Sequence, residues 1–174
     1  MKKLEIFIKV FLILGILISL FLLYEHFSYT ADRFCTFGES LNCGIVNKGP
    51  YSTLDGISYL LTIDFGLNIP FINLNQYGII VEFLTTNSFL GLLTLVILFL
   101  LVHKYFKEKD FLFIKNDKIL YFIRGITLFS LIYGFYLFLI QHYILKTYCI
   151  FCLGLDFVII VTFITTWFLL NKKV

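Results

Sequence analysis

The sequence predicts an all-α membrane protein, a four-transmembrane-helix bundle with an extracytoplasmic cap that contains a short interfacial helix. Three observations predict it. Of 174 residues, 60% are hydrophobic and 20% aromatic, and the mean hydropathy is +0.94, far outside soluble usage. Four apolar runs approach the roughly 20 residues that a spanning helix needs. The basic residues gather at the ends of those runs rather than along one face. With a net charge of only +3, that speaks against a nucleic-acid partner.

The first run, about 4–24, reads "LEIFIKVFLILGILISLFLLY". It is longer than the roughly 7–15 apolar residues of a signal-peptide core and no A-x-A-like site follows, so it is read as a retained span. The second, about 86–103, is built on "SFLGLLTLVILFLLV" and borrows a turn from the preceding "VEFLTT". The third covers about 119–145 and the fourth about 148–170. Residues 25–87 are taken as outer loop and cap. Within them "GISYLLTIDFGLNIPFI" is apolar but broken by Asp64, Gly66 and Pro70, the pattern of a helix lying at the interface. The whole reads as a single domain, 1–174.

Orientation follows from the basic residues. With four spans, Lys2, Lys3, Lys9, Lys104, Lys107, Lys109, Lys115, Lys118, Arg124, Lys172 and Lys173 share one side, eleven of the 14 in the chain. Arg33, Lys48 and Lys146 remain for the other. Both termini are therefore expected in the cytoplasm, in a plasma (inner) membrane. The segment 25–87 and the Thr147 end of the fourth span face outward, and so do all four cysteines. Disulfides persist in that compartment.

Cys35 and Cys43 lie in "RFCTFGESLNCGIVNKGPYS", a turn-rich stretch read as a mobile, exposed loop. Seven residues separate them, enough for the chain to double back and close a disulfide. Cys149 and Cys152, in "TYCIFCLGLD", are three apart, share a helix face and can bridge with modest distortion. Cys149 falls near a helix N-terminus, where free N–H groups and the helix dipole favour a thiolate. Two structural disulfides are one reading, but a bridge three residues apart closes almost no loop and stabilises little. A four-cysteine zinc site is another, but such sites usually take two short-spaced pairs. Redox exchange is preferred, with one pair meeting a soluble protein and the other meeting something dissolved in lipid.

The order Cys-x7-Cys in the first outer loop, then Cys-x-x-Cys opening the last of four spans, resembles the vitamin K epoxide reductase family over nearly the whole chain. Its microbial members are similar in role to the disulfide-forming membrane protein DsbB, in which the Cys-x-x-Cys instead precedes the wider pair. The resemblance implies roles. Cys35 would exchange with a thioredoxin-fold (DsbA-like) extracytoplasmic partner. Cys43 would relay to Cys149, and Cys152 would face a quinone such as ubiquinone or menaquinone. "NSFLG", from Asn87 to Gly91, resembles the family stretch whose asparagine hydrogen-bonds a quinone carbonyl. Asn87 is equally placed to be a plain helix N-cap.

Three departures from the family pattern stand out. Gly49 takes the place of a usual serine before the turn, with Ser52 three residues on. Asp156 stands where vertebrate members carry a quinone-binding tyrosine. About fifteen extra residues lie between Gly56 and Asn87. A carboxylate one turn beyond Cys152 in an apolar helix is costly when charged. As an acid, Asp156 would donate a hydrogen bond or a proton to a quinone oxygen; otherwise it meets water or pairs with Lys146 or Gln141. His26 and His142 read as structural, and His103 lies on the lysine side. Phe151, Phe157, Tyr133, Phe135 and Tyr136 are candidate pocket walls, though lipid-facing packing is the expected role for any one of them.

The expected function is a membrane thiol:quinone oxidoreductase, using no metal, that supports disulfide formation. The alternatives are a quinone or vitamin K epoxide reductase, and a non-enzymatic membrane protein with two structural disulfides.

Overall fold

The structure is a computed structural model. It describes residues 2–28, 35, 38, 40–67, 74–107, 110–111 and 116–169. Arg33, Pro70, Lys109, Lys115, Lys172 and Lys173, used above, lie outside the described residues. Among the described residues seven α-helices run in order. They are α1 (Lys2–Phe27), α2 (Cys43–Lys48), α3 (Gly56–Tyr59), α4 (Ile79–Thr85), α5 (Asn87–Phe106), α6 (Asn116–Leu139) and α7 (Ile150–Ile164). Wider π-helical turns extend α3 through Leu60–Asp64, α6 through Ile140–Leu145 and α7 through Thr165–Leu169. No strand occurs among the described residues, only two isolated bridges.

Four helical stretches are long and apolar enough to cross a membrane: Lys3–Phe27, Asn87–Phe106, Lys118–Leu145 and Ile150–Trp167. The chain is an integral membrane protein of four spans.

Two compact units divide the chain. The first takes residues 1–18, 92–138 and 153–174. Its core is Ile8 and Leu12 of α1, Leu95, Leu98, Leu101, Val102 and Tyr105 of α5, Ile119, Leu120 and Ile123 of α6, and Val158 and Ile159 of α7. Each helix also keeps large apolar side chains outside, such as Phe7, Val96, Phe129 and Ile160. A helix apolar all round suits lipid on one face and protein on the other. Lys9 pairs with Glu5 one turn earlier and lies 3.0 Å from His103 Nδ1. Arg124 lies over the Trp167 ring, 5.6 Å from its centre, and donates to the Thr166 carbonyl.

The second unit takes residues 19–91 and 139–152 and holds all four cysteines. Two short strand-like contacts tie its loops. Residues 52–54 run beside 85–87, with Leu54 N–H on the Thr85 carbonyl and Asn87 N–H on the Ser52 carbonyl. The apolar stretch expected to lie at the interface is helical from Gly56 to Asp64, and Ile57, Ile63, Phe65 and Leu67 are exposed. Gly56 allows this turn to close. A Cβ there would stand 2.7 Å from Tyr51 Cα, well inside contact distance.

Candidate redox site

The site is built by pinning a capped helix to the turn that precedes α7. Asn42 caps α2, its Oδ1 accepting the Ile45 N–H at 3.1 Å. Cys43 is therefore the first residue of a helix, not part of a free loop. Just before it, Leu41 pairs in parallel with Tyr148. Tyr148 N–H donates to the Ser40 carbonyl, and Asn42 N–H donates to the Tyr148 carbonyl, both at 3.0 Å. These bonds bring the two halves of the cysteine set together. Cys35 and Cys43 form a disulfide with Cα atoms 5.5 Å apart. Cys149 and Cys152 lie outside that disulfide as thiols, the first buried and the second half-buried. The sulfurs of Cys35, Cys43 and Cys149 all lie within 4.8 Å of one another.

The expectation of an exposed first pair is corrected here. Cys35 and Cys43 are each 0% exposed, as is Cys149. The glycines, serines and asparagines around them read as flexibility. Asn42 is instead a cap, and Ser40 is a strand-like partner of Tyr148.

Cys149 sits immediately before α7. Lys146, in the left-handed conformation at φ 52°, ends the wide turn of α6 and reverses the chain. Gln141, 2% exposed within that turn, accepts the Cys149 N–H on Oε1 at 2.9 Å. The Cys149 sulfur in turn accepts the Cys152 N–H at 3.3 Å. That is the N-cap bond with sulfur in place of oxygen. A thiolate so held beside a disulfide can exchange with it through a mixed disulfide. Three mutually close sulfurs also satisfy the distance requirement of the zinc alternative. With Cys35 and Cys43 bridged, only Cys149 among them is a thiol ligand.

A buried polar cluster holds the far end of α2. Asn47, one turn after Cys43, donates through Nδ2 to the Leu22 carbonyl at 2.7 Å and to Glu25 at 3.1 Å. Its Oδ1 accepts from Ser88 at 3.0 Å. His26 Nδ1 donates to the Asn47 carbonyl at 2.6 Å, and its Nε2 faces Glu82 at 3.2 Å. Both His26 ring nitrogens thus have polar partners. His142 Nδ1 meets the Tyr148 hydroxyl at 2.6 Å.

Asn87 opens α5, and Thr86 just before it caps the helix through Oγ1, which accepts the Phe89 N–H at 3.2 Å. Thr86 is fully buried and precedes Asn87, and a β-branched residue in "LTTNS" gave a weaker cap signal than asparagine. Asn87 Nδ2 donates to the Tyr51 carbonyl at 2.8 Å. Gly49, where the family has serine, has a close approach of its own. A Cβ there would lie 2.5 Å from the Ile45 carbonyl oxygen, so this backbone has no room for a serine. Ser52 is buried; its N–H donates to the Gly49 carbonyl and its own carbonyl accepts from Asn87.

Asp156 belongs to the first unit. It lines an apolar cavity of about 320 Å³ with Leu131, Phe135, Phe138, Phe157 and Ile160 among its walls. Its carboxylate rests on α6 where Gly134 has no side chain. A Cβ at Gly134 would stand 2.5 Å from Asp156 Oδ1. Of the aromatic candidates, Phe135 and Phe157 are cavity walls, and Phe151 packs on Phe21 with centroids 4.7 Å apart. Tyr133 and Tyr136 lie side by side, centroids 5.8 Å apart.

Sequence reasoning missed Gln141 as a partner of Cys149, weighing it only as a partner for Asp156. The available signal was a lone amide in "FLIQHYIL", since a polar side chain in an apolar helix needs a partner. Asn47 carried a fainter signal, one helical turn beyond Cys43.

A family model described as the vitamin K epoxide reductase family matches residues 6–167. A search among curated proteins finds no match.

Proposed function

The chain belongs to the vitamin K epoxide reductase family, and on that premise we propose a thiol:quinone oxidoreductase that serves disulfide formation outside the cytoplasm. Family membership makes it an oxidoreductase and ties it to quinones. The finer reading is ours. Electrons come from an extracytoplasmic thioredoxin-fold, DsbA-like partner, cross two cysteine pairs and leave to a membrane quinone. Residues 1–174 act as one domain in the plasma (inner) membrane, with both termini cytoplasmic and the cysteines outside.

The observation that carries the reading is the approach of Cys149 to the Cys35–Cys43 disulfide, three sulfurs within 4.8 Å. The exchange balances as follows. A partner thiolate attacks Cys35, and Cys43 leaves as a thiolate. The partner's second thiol resolves the mixed disulfide, so the partner is oxidised and Cys35 and Cys43 are reduced. Cys43 then attacks Cys149 of a Cys149–Cys152 disulfide, and Cys152 leaves as a thiolate. Attack by Cys35 on Cys43 restores the first disulfide and leaves Cys149 and Cys152 reduced. A closed Cys35–Cys43 bond with Cys149 and Cys152 as thiols is the state expected after that transfer.

A quinone supplies an acceptor for two electrons and two protons. An apolar cavity with one hydrogen-bonding group fits such a ring, and the Asp156 cavity has that chemistry. By residue, the reading gives Cys152 the transfer of electrons to the quinone, Asn87 an amide N–H for a quinone carbonyl, and Asp156 an O–H or a proton for a quinone oxygen. Donors so placed support charge that develops on oxygen.

The test is purification followed by an absorption spectrum and lipid extraction. Bound quinone that is reduced when dithiol is added supports the reading. A preparation that neither holds quinone nor reduces an added one refutes it.

A further inference from the structure

We infer that Gln141 is the positioning residue of the relay: its side-chain oxygen sets the Cys149 sulfur in line with the Cys35–Cys43 pair. Three observations converge on it. Gln141 is a buried amide in the wide turn Ile140–Leu145, and its Oε1 accepts the Cys149 N–H at 2.9 Å. That N–H is one of the amides at the start of α7 that no helical carbonyl can reach. The bond is a direct control on how the chain enters α7, beside Lys146 in its left-handed conformation and the main-chain bonds of Tyr148 to Ser40 and Asn42. With the entry so held, the sulfur of Cys149 takes the Cys152 N–H and stays within 4.8 Å of Cys35 and Cys43.

Without the Gln141 oxygen, the buried Cys149 N–H must find another acceptor. The turn 146–149 can supply one only by moving, and Cys149 moves with it. Gln141 touches neither the partner nor the quinone in this scheme. It acts through Cys149, and through the step between Cys43 and Cys149 alone. The inference rests on the relay reading of the proposed function, and the test separates the two.

In a full-length Cys35→Ser/Cys152→Ser background, Cys43 and Cys149 are the only thiols left. Equilibrated against a glutathione buffer, the fraction joined as Cys43–Cys149 measures their alignment. Gln141→Ala should lower that equilibrium constant by about tenfold, the scale of one buried hydrogen bond. Gln141→Glu should keep it near the parent's value, because a carboxyl oxygen reaches the same amide. A general loss of packing would not be repaired by glutamate. An unchanged constant in Gln141→Ala overturns the inference, and so does an equal fall in Gln141→Glu. Should Gln141→Ala fail to fold, retention of the bond in Gln141→Glu and its loss in Gln141→Met, which fills the space without the oxygen, decide the question. If the parent background itself forms no Cys43–Cys149 bond, the relay reading falls and the inference falls with it.

Discussion

Replacing Asn47 with alanine should loosen the cysteine helix without touching a cysteine. The side chain makes three hydrogen bonds in a buried setting: to the Leu22 carbonyl at 2.7 Å, to Glu25 at 3.1 Å and from Ser88 at 3.0 Å. At about 1 kcal/mol each, their loss costs about 3 kcal/mol. Ser88 and the Leu22 carbonyl lose a partner in a region closed to water, which moves the figure upward rather than down. The His26 bond is to the Asn47 main-chain carbonyl and survives the substitution. Reversible unfolding in mixed micelles reads the stability. Alkylation of Cys43 after mild reduction reads whether α2 has come away. The expected result is a loss of about 2–4 kcal/mol together with faster alkylation of Cys43. Ser88→Ala should then add little to Asn47→Ala, since the two share one bond. Wild-type stability in Asn47→Ala, or full additivity with Ser88→Ala, would refute the reasoning.

Gly134→Ala places a Cβ 2.5 Å from Asp156 Oδ1 and should make that carboxyl turn away, which thermal unfolding of the variant reads. Asp156→Gly should relieve that crowding, so a double-mutant cycle in thermal unfolding should be strongly non-additive. Asp156→Asn keeps a donor but removes the proton source, so steady-state kinetics should show kcat falling more than KM rises; an unchanged kcat would displace Asp156 from the reaction. Asn87→Ala should slow quinone reduction by about tenfold, and should also loosen Tyr51, whose carbonyl it holds. Cysteine introduced at Tyr77, which is 73% exposed, should react with an impermeant reagent in intact cells. Cysteine introduced at Lys107 should react only after the membrane is opened, and the reverse pattern would invert the topology.

The membrane spans were legible because length and hydropathy decide them almost alone; a run such as "FLILGILISLFLLY" has no other stable place. The cysteines were legible by spacing. What composition could not supply was the environment of the first pair. Gly38, Ser40 and Asn42 are turn formers, and the same residue types serve as caps and strand partners once a second segment arrives. That segment, Tyr148, is more than a hundred residues away, and no local pattern announces the pairing. The cap of α5 shows the same limit at short range. "TTNS" offers four polar residues in a row, and sequence alone did not single out Thr86, whose Oγ1 takes the Phe89 N–H. Gly49 looked like a lost serine; the Ile45 carbonyl beside it supplies a steric reason for glycine that sequence alone did not carry.

The most direct test of the relay is thiol-driven quinone reduction by the purified protein and by Cys152→Ala, with a reduced thioredoxin-fold protein as the only electron donor. The wild-type protein should reduce one quinone for each disulfide formed in the partner. Cys152→Ala should reduce none while its Cys35–Cys43 pair still exchanges with the partner. Quinone reduction at the wild-type rate by Cys152→Ala, or partner oxidation with no quinone reduced by the wild-type protein, would contradict the account.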